Sequence, residues 1–458
     1  MTHDALTTLL ACWATLWPAM TRPSLRNFVV VPTGWAVSGG RHRISDPLCA
    51  SGVGWQRHHC GFYRLFSRAN WQPDTVGKQV FRLIENLLLP LDAALCLAID
   101  DTLAHHSGPK IFGIGSHLDA VRSTRATKVS AFGHVWVVIA VVVTVPFSSR
   151  PWALPVAMRL YRHHKTCERT GAAYRSKTEM APELIELVAS WRPLGRIETC
   201  ADMAYCNATV FDAMPERVVL FGAMRNDAVL TKPAEPVEPG KRRRGRPAIR
   251  GAVLQKPVDL AKDESVAWQV GELRKGTSTA AVQFKWLDAQ WYTAFGARLL
   301  RVVVVKLEGG KDELRSYFCA DPNVLPNKVL QGYLRRWSVE CLFRDAKQDF
   351  GLDEPQVRKQ ASVERMAPAI ALHLTLLVLW YVQVWQTVKR RRQGPWYHNK
   401  REASMADIVY AAAQTRAGRD PVDLANVVEE TTKQRPLRPG QTAALPTPAH
   451  TLPLAQAA

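Results

Sequence analysis

Acidic side chains are in short supply in this chain: 40 Asp and Glu stand against 60 Lys and Arg over 458 residues, a formal charge of +20. That imbalance excludes a surface that repels polyanions and predicts attraction to nucleic acid that weakens as salt rises. A merely basic protein would share the composition, so charge alone leaves both readings open. Cysteine is sparse as well. Nine scattered residues, odd in number and without a C-x-x-C pair, exclude a disulfide framework and fit a reducing cytosol. Cys49 and Cys60 flank His58 and His59, which offers zinc-ligand chemistry, but with no knuckle spacing the preferred reading is ordinary buried or loop residues. A secretory signal is missing: Asp4 interrupts the start, no basic segment precedes Leu9–Leu16, and no clear cleavage site follows. No internal repeat is found.

One uncharged stretch is weighed as a membrane span. Met366–Val388 has no Asp, Glu, Lys or Arg and is followed by Lys389–Arg392. Its length and flank match a membrane span. His373, Gln383, Gln386 and two threonines interrupt it, so the reading preferred is a buried core helix with basic residues at its C-terminal end, and no membrane partner.

At 458 residues the chain exceeds one ordinary core. Residues 1–85 alternate apolar and basic positions with many aromatics, among them Trp13, Trp55, Phe62 and Trp71, and predict short helices. Arg64–Leu89 has helical spacing through Val76, Val80, Leu83 and Leu87. A small DNA-binding domain and a helical cap on the next domain both fit. From residue 86 to 225 the pattern becomes α/β. Ala94–Ile99 reads as a buried strand ending at Asp100-Asp101, Val135–Val145 as a β-branched strand, and Trp152–Tyr161 as an edge or bulged strand because of Pro155. Lys177–Trp191 is an amphipathic helix, Arg196–Ala201 a strand that delivers Asp202, and Val218–Met224 another strand. A mixed sheet flanked by helices follows, with acids at the C-terminal ends of strands, where open α/β sheets place reactive groups.

Residues 226–322 read as a β-rich insertion. It holds the basic linker Lys241–Arg250 and a hairpin, Leu299–Leu307 with Glu313–Cys319. Residues 323–390 carry the last catalytic helix, with Pro326 near its start, and further helices; residues 391–458 form a C-terminal region expected to be partly disordered. In that helix Tyr333, Arg336, Glu340 and Lys347 fall almost one above another, so one stripe presents a phenol, a guanidinium, an acid and an ammonium. A core-facing stripe would be apolar.

Asp100, Asp202 and Glu340 are the candidate catalytic and metal-holding residues. Hard ions such as Mg²⁺ take carboxylate oxygens, and two ions roughly 4 Å apart can serve the attacking and leaving oxygens of a phosphodiester. Strand alternation lets only one of Asp100 and Asp101 face inward; Asp100 is chosen because it directly ends the apolar run. Arg336 offers phosphate a bidentate fork and Lys347 a point charge. An ordinary Arg336–Glu340 ion pair on a solvated face is the plain alternative.

Tyr333-x₂-Arg336-x₃-Glu340-x₆-Lys347 matches the Y-R-E-K signature of DDE transposases of bacterial insertion sequences, which have an RNase H-like catalytic fold. Ala98–Thr102 resembles that family's first acidic strand, Gly133–Val137 its second strand, and Ala201–Tyr205 its second acidic motif, so the likeness covers about residues 75–390. The resemblance implies metal-dependent cleavage at element ends and strand transfer to target DNA. Asp100, Asp202 and Glu340 would hold two Mg²⁺ ions, with Mn²⁺ as a substitute, and Tyr333, Arg336 and Lys347 would contact DNA. It also implies DNA partners (terminal inverted repeats and target), a homodimer in the DNA complex, and a cytoplasmic, nucleoid-associated protein. A catalytically inactive, transposase-derived DNA-binding protein is the alternative. Arg244-Gly245-Arg246-Pro247 resembles an AT-hook core that could lie in an A·T minor groove, or it is a solvated linker giving phosphate contacts only. Trp286 and Trp291 are candidates for stacking on a flipped base, with ordinary core packing preferred. His105-His106 and His163-His164 are read as exposed loop residues.

Overall fold

Proline punctuates the N-terminal helices and corrects one expectation. Arg64–Leu89 is not one helix. Among the described residues of this region the α-helices are α1 (Ala5–Ala14), α2 (Arg22–Ser38), α3 (Ser45–Ala50), α4 (Cys60–Ser67) and α5 (Pro73–Leu88). Pro73 pushes Gln72 into extended backbone (φ −117°, ψ 135°), which ends any helix before it and starts the next with proline at its first position. Trp71 fills the break; it is fully buried, and its ring N–H donates to the Leu65 carbonyl at 2.8 Å. The computed structural model describes residues 5–38, 43–90, 92–108, 110–124, 126–235, 248–275, 278–307, 313–389, 391, 394 and 400–415. Arg244, Arg246 and the tail from 416 onward lie outside the described residues.

The sheet begins with β1 (Leu95–His105), β2 (Gly115–Leu118), β3 (Ser130–Val145) and β4 (Ser148–Tyr161). Helices α6 (His164–Thr170) and α7 (Lys177–Trp191) lead to β5 (Ile197–Ala201), then α8 (Ala208–Asp212) and β6 (Val218–Met224). Next come α9 (Pro257–Lys262), β7 (Gln269–Lys275), β8 (Ser278–Gln290), α10 (Tyr292–Phe295), β9 (Leu299–Leu307) and β10 (Glu313–Cys319). The spatial order is β2-β3-β1-β5-β6-β10-β9-β8-β7, with β4 pairing along the rest of β3. β1, β5 and β6 run parallel, while β3 and β4 are antiparallel to their neighbours. This is an RNase H-like mixed sheet flanked by helices. β3 is buried over most of its length, hence its near-continuous Val and Ile run. Pro155 sits opposite Ala140 at a register shift on β4, whose outer side is unpaired, where a missing N–H costs no ladder bond. Strands β7–β10 of segment 226–322 extend the same sheet through the antiparallel β6–β10 pair.

Among the described residues that follow, the helices are α11 (Pro326–Leu334), α12 (Trp337–Gln348), α13 (Gln360–Val384) and α14 (Met405–Gln414). α13 is long and apolar enough to cross a membrane, yet 89% of its most apolar window is buried inside the protein. It packs on α1, α5 and β4. His373 lies between the rings of Trp13, Trp35 and Phe350, and the Trp380 ring N–H donates to the Ala5 carbonyl at 2.9 Å. α13 is therefore a core helix that ties the N-terminal helices to the sheet.

α5 meets β4 at Gly77, where an added Cβ would stand 2.1 Å from the Val156 carbonyl oxygen. Because the obstacle is backbone, Gly77→Ala is expected to destabilise the protein by about 2–3 kcal/mol. Urea denaturation checks this; a change under about 0.5 kcal/mol, the range of ordinary surface substitutions, would show that the helix lifts away freely.

Candidate active site

Two parallel strands deliver the first two acids. β1 and β5 pair with Ile99 opposite Ala201, so the next residue on each, Asp100 and Asp202, stands side by side on the same face. Asp202 lies one residue beyond β5 and opens a single 3-10 turn, Met203–Tyr205. Its backbone oxygen accepts the Tyr205 N–H at 2.9 Å.

The third acid comes with a correction. Tyr333 and Glu340 are not on one continuous helix. α11 stops at Leu334, and Arg335-Arg336 form a tight turn before α12. Three-residue hydrogen bonds make the turn: Arg336 N–H to the Tyr333 carbonyl (2.9 Å), Ser338 to Arg335 (3.1 Å) and Val339 to Arg336 (2.9 Å). The physical reason is that the two arginines are held by two different strands. Arg335 pairs with Glu198 on β5, and Arg336 reaches Asp100 on β1.

Arg336 is the hub. Its guanidinium donates to Asp100 Oδ2 at 3.4 Å, to Glu340 Oε1 at 2.6 Å and, through Nε, to the Tyr333 hydroxyl at 3.2 Å. Its side chain is 15% exposed, that of Asp100 17% and that of Glu340 38%. Burial pulls the guanidinium pKa down, but Tyr333, Glu340 and Asp100 outweigh it, so the group stays charged. Burial pushes the Asp100 carboxyl up to about 7; the neighbouring charges of Asp101 and Asp202 push the same way, against the Asp101 N–H and Arg336. The Tyr333 hydroxyl is raised, mainly by burial. A cleft of about 480 Å³ opens beside Arg336, lined in part by Met203, Asn226, Tyr317, Tyr333 and Trp337.

Thus Asp100, Asp202, Tyr333, Arg336 and Glu340 are brought together. Lys347 is not in contact with this hub: it lies seven residues beyond Glu340 on α12, about 10 Å along the axis, where its charge acts on Asp353. Asp101 points to the other face of β1, accepting from Lys177 Nζ at 2.6 Å and the Tyr205 hydroxyl at 2.7 Å. Sequence reading missed this trio and Arg335; the only signal available was a Tyr three residues after the second acid. Trp291 packs edge-on with Phe295 and Phe318, and Trp286 lies under Arg301. His105 and His106 are not exposed loop residues. β1 continues to His105 because Gly133 of the long β3 pairs with it, and His105 Nε2 lies 2.9 Å from Asp119 Oδ2.

The donor set fits a divalent cation. Three carboxylates are hard oxygen ligands, and Asp100 is held back from ionising by burial beside two like charges, a cost that a bound cation removes. The three are not drawn tightly together. Among the described residues, the one trio of donor groups with all atoms within 4.8 Å is His58, His59 and Cys60, on the surface of the helical region and without Cys49. Arg336 supplies the positive charge between Asp100 and Glu340.

Residues 18–293, well over half of the chain, match a family model described as DDE superfamily endonuclease. The match includes Asp100 and Asp202 and ends before α11, so Glu340 lies beyond it. One solved structure similar to this chain is described as a cryo-EM structure of a piggyBac transposase synaptic complex with hairpin DNA. It is 9% identical, with a TM-score of 0.40, over 97% of this chain and 85% of that chain, a likeness too distant to decide anything about the site. No curated protein matches the chain.

Proposed function

This chain belongs to the DDE superfamily endonuclease family, and from that membership we propose that it is a transposase that cuts DNA at the ends of a mobile element and joins the freed 3′-hydroxyl to target DNA. The observation that carries the reading is the convergence of three acids from distant segments: Asp100, midway along β1, stands beside Asp202, just past the end of β5, and Arg336 joins Asp100 to Glu340.

Endonucleases of this superfamily generally use divalent metal ions. Asp100, Asp202 and Glu340 would hold two Mg²⁺ ions, with Mn²⁺ as a substitute. When bound, such ions lower the pKa of the attacking group and neutralise charge on the phosphate. The chain's own residues supply the rest. Arg336 is positioned to exchange its contact with Asp100 for a non-bridging phosphate oxygen, because its planar fork can serve two acceptors at once. The Tyr333 ring and hydroxyl limit where that fork can point. Lys347 serves phosphate further along the strand, and Arg244 and Arg246 serve the duplex backbone or minor groove. The charge of +20 gathers DNA non-specifically and makes binding salt-dependent. Pairing two element ends calls for a homodimer in the DNA complex. We place the protein in the bacterial cytoplasm, associated with the nucleoid.

The test is cleavage of an end-labelled duplex carrying the element terminus, with Mg²⁺, by the wild type and by Asp100→Ala, Asp202→Ala and Glu340→Ala. Each substitution is expected to reduce cleavage at least about a thousandfold, since each removes several kcal/mol of transition-state stabilisation, while leaving DNA binding in place. Equal cleavage by all four proteins refutes the assignment. Binding without cleavage by the wild type supports instead a transposase-derived DNA-binding protein.

A further inference from the structure

Beneath β1, on the face opposite Asp100, a second acid is fully engaged. Asp101 accepts from Lys177 Nζ at 2.6 Å on one carboxylate oxygen and from the Tyr205 hydroxyl at 2.7 Å on the other. Tyr205 ends the short turn that Asp202 opens, and it is 1% exposed. Asn207 Nδ2 donates to the Ala204 carbonyl at 3.1 Å and Cys206 Sγ to the Asp202 carbonyl at 3.3 Å, but neither of these bonds reaches β1. Met203 is 43% exposed, Ala204 is also exposed, and the turn's own backbone bonds are Tyr205 N–H to Asp202 (2.9 Å) and Cys206 N–H to Met203 (3.1 Å). Lys177 opens α7, whose start is fixed by a capping box between Ser176 and Glu179.

We propose that Asp101, Tyr205 and Lys177 are positioning residues: together they brace the Asp202 turn against the Asp100 strand and the start of α7, and so set the spacing of the two carboxylates that hold the catalytic metal. This rests on the proposed roles of Asp100 and Asp202. The adjacent acids divide the work by strand alternation, Asp100 facing the reaction and Asp101 facing the brace. A carboxylate with both oxygens engaged and a lysine beside it is poorly available as a metal ligand. It is well suited to fix geometry, because hydrogen bonds to a charged acceptor are stronger than neutral ones and directional. Positioning matters because displacements on the order of 1 Å in a site of this kind cost about a hundredfold in rate.

Tyr205→Phe in the full-length protein keeps the buried ring and removes only the hydroxyl. Two readouts need no turnover: hydrogen exchange at the Tyr205 and Cys206 amides, and Mn²⁺ binding measured from the electron paramagnetic resonance of free Mn²⁺. Exchange is expected to be about tenfold faster and Mn²⁺ binding about tenfold weaker, the scale of one lost hydrogen bond to a charged group. In the cleavage assay the Mg²⁺ concentration for half-maximal rate should rise by a similar factor, with much of the rate recovered at saturating Mg²⁺. A tyrosine that merely fills the core would change none of these. Should Tyr205→Phe fail to fold, Lys177→Met, at a half-exposed position, releases the brace from its other end and is expected to shift the same readouts. Wild-type exchange and wild-type Mn²⁺ affinity in the folded variant overturn the proposal. Failure of the functional reading shows differently, as a wild type whose Mn²⁺ binding is untouched by Asp100→Ala.

Discussion

Replacing Asp100 with Asn is expected to make the metal-free protein more stable at pH 8 while abolishing cleavage. The Asp100 carboxyl titrates at about 7 in the folded chain against 3.8 ordinarily, chiefly because it is buried. Between those values the folded state holds a proton that the unfolded state has released. Stability is therefore lost as pH rises through this window, and the loss is complete above it. Three pKa units correspond to about 4 kcal/mol, an upper bound for the cost of ionising Asp100 without a cation. Asn has nearly the same shape and never pays that cost, and Arg336 keeps Glu340 as a partner. Melting curves of wild type and Asp100→Asn in chelator, at pH 5 and pH 8, give the check. The stability gap should widen with pH in favour of Asn. A gap that stays constant, or a variant less stable at pH 8, would mean that burial is not the dominant influence on this carboxyl.

Arg336→Ala is expected to act in the opposite direction. It leaves Asp100 and Glu340 without their shared cation. Breaking a buried charge pair by removing one partner costs about 3–5 kcal/mol; because Glu340 is 38% exposed and screened by water, about 3 kcal/mol is expected at pH 8. The loss should shrink at pH 5, where Asp100 carries its proton. It should also shrink when Mg²⁺ or Mn²⁺ is added, since a cation that binds only the folded state stabilises it by mass action. Cleavage should fall with the loss of the phosphate-facing fork, and Arg336→Lys should recover only part of it. Combining Asp100→Asn with Arg336→Ala should cost less than the sum of the two single effects, because the groups are in contact. Urea titrations of the four proteins measure this; strict additivity would show that Asp100 and Arg336 do not share an interaction.

Much of the sheet is legible in the sequence because its local signals agree. The β-branched run of β3, the strands Val218–Met224, Leu299–Leu307 and Glu313–Cys319, and the helix Lys177–Trp191 with Ser176 before it carry strand or helix chemistry over most of their length. The breaks within helical regions are harder to read. Apolar spacing runs on through residues 68–72, and only Pro73 and the buried Trp71 mark the stop. The turn at Arg335-Arg336 has no local signal at all. Both residues favour helix, and the turn exists because Glu198 and Asp100, far away in sequence, each hold one guanidinium. Sequence spacing alone therefore overstates the alignment of Tyr333, on α11, with Glu340 and Lys347, both on α12.

The amino-acid sequence by itself determines the chemical inventory of this protein: the basic excess, the acids that end apolar runs, the tyrosine, arginine, glutamate and lysine spacing, and the period-2 rule that sends Asp100 and Asp101 to opposite faces. Which of the two meets Arg336 was decided only by tertiary structure. Alternation fixes that neighbouring side chains diverge, but not which of them looks toward α12. That follows from the pairing of Ile99 with Ala201 and from the packing of α12 against β1 and of α7 on the other side, where Lys177 and Tyr205 wait for the remaining acid.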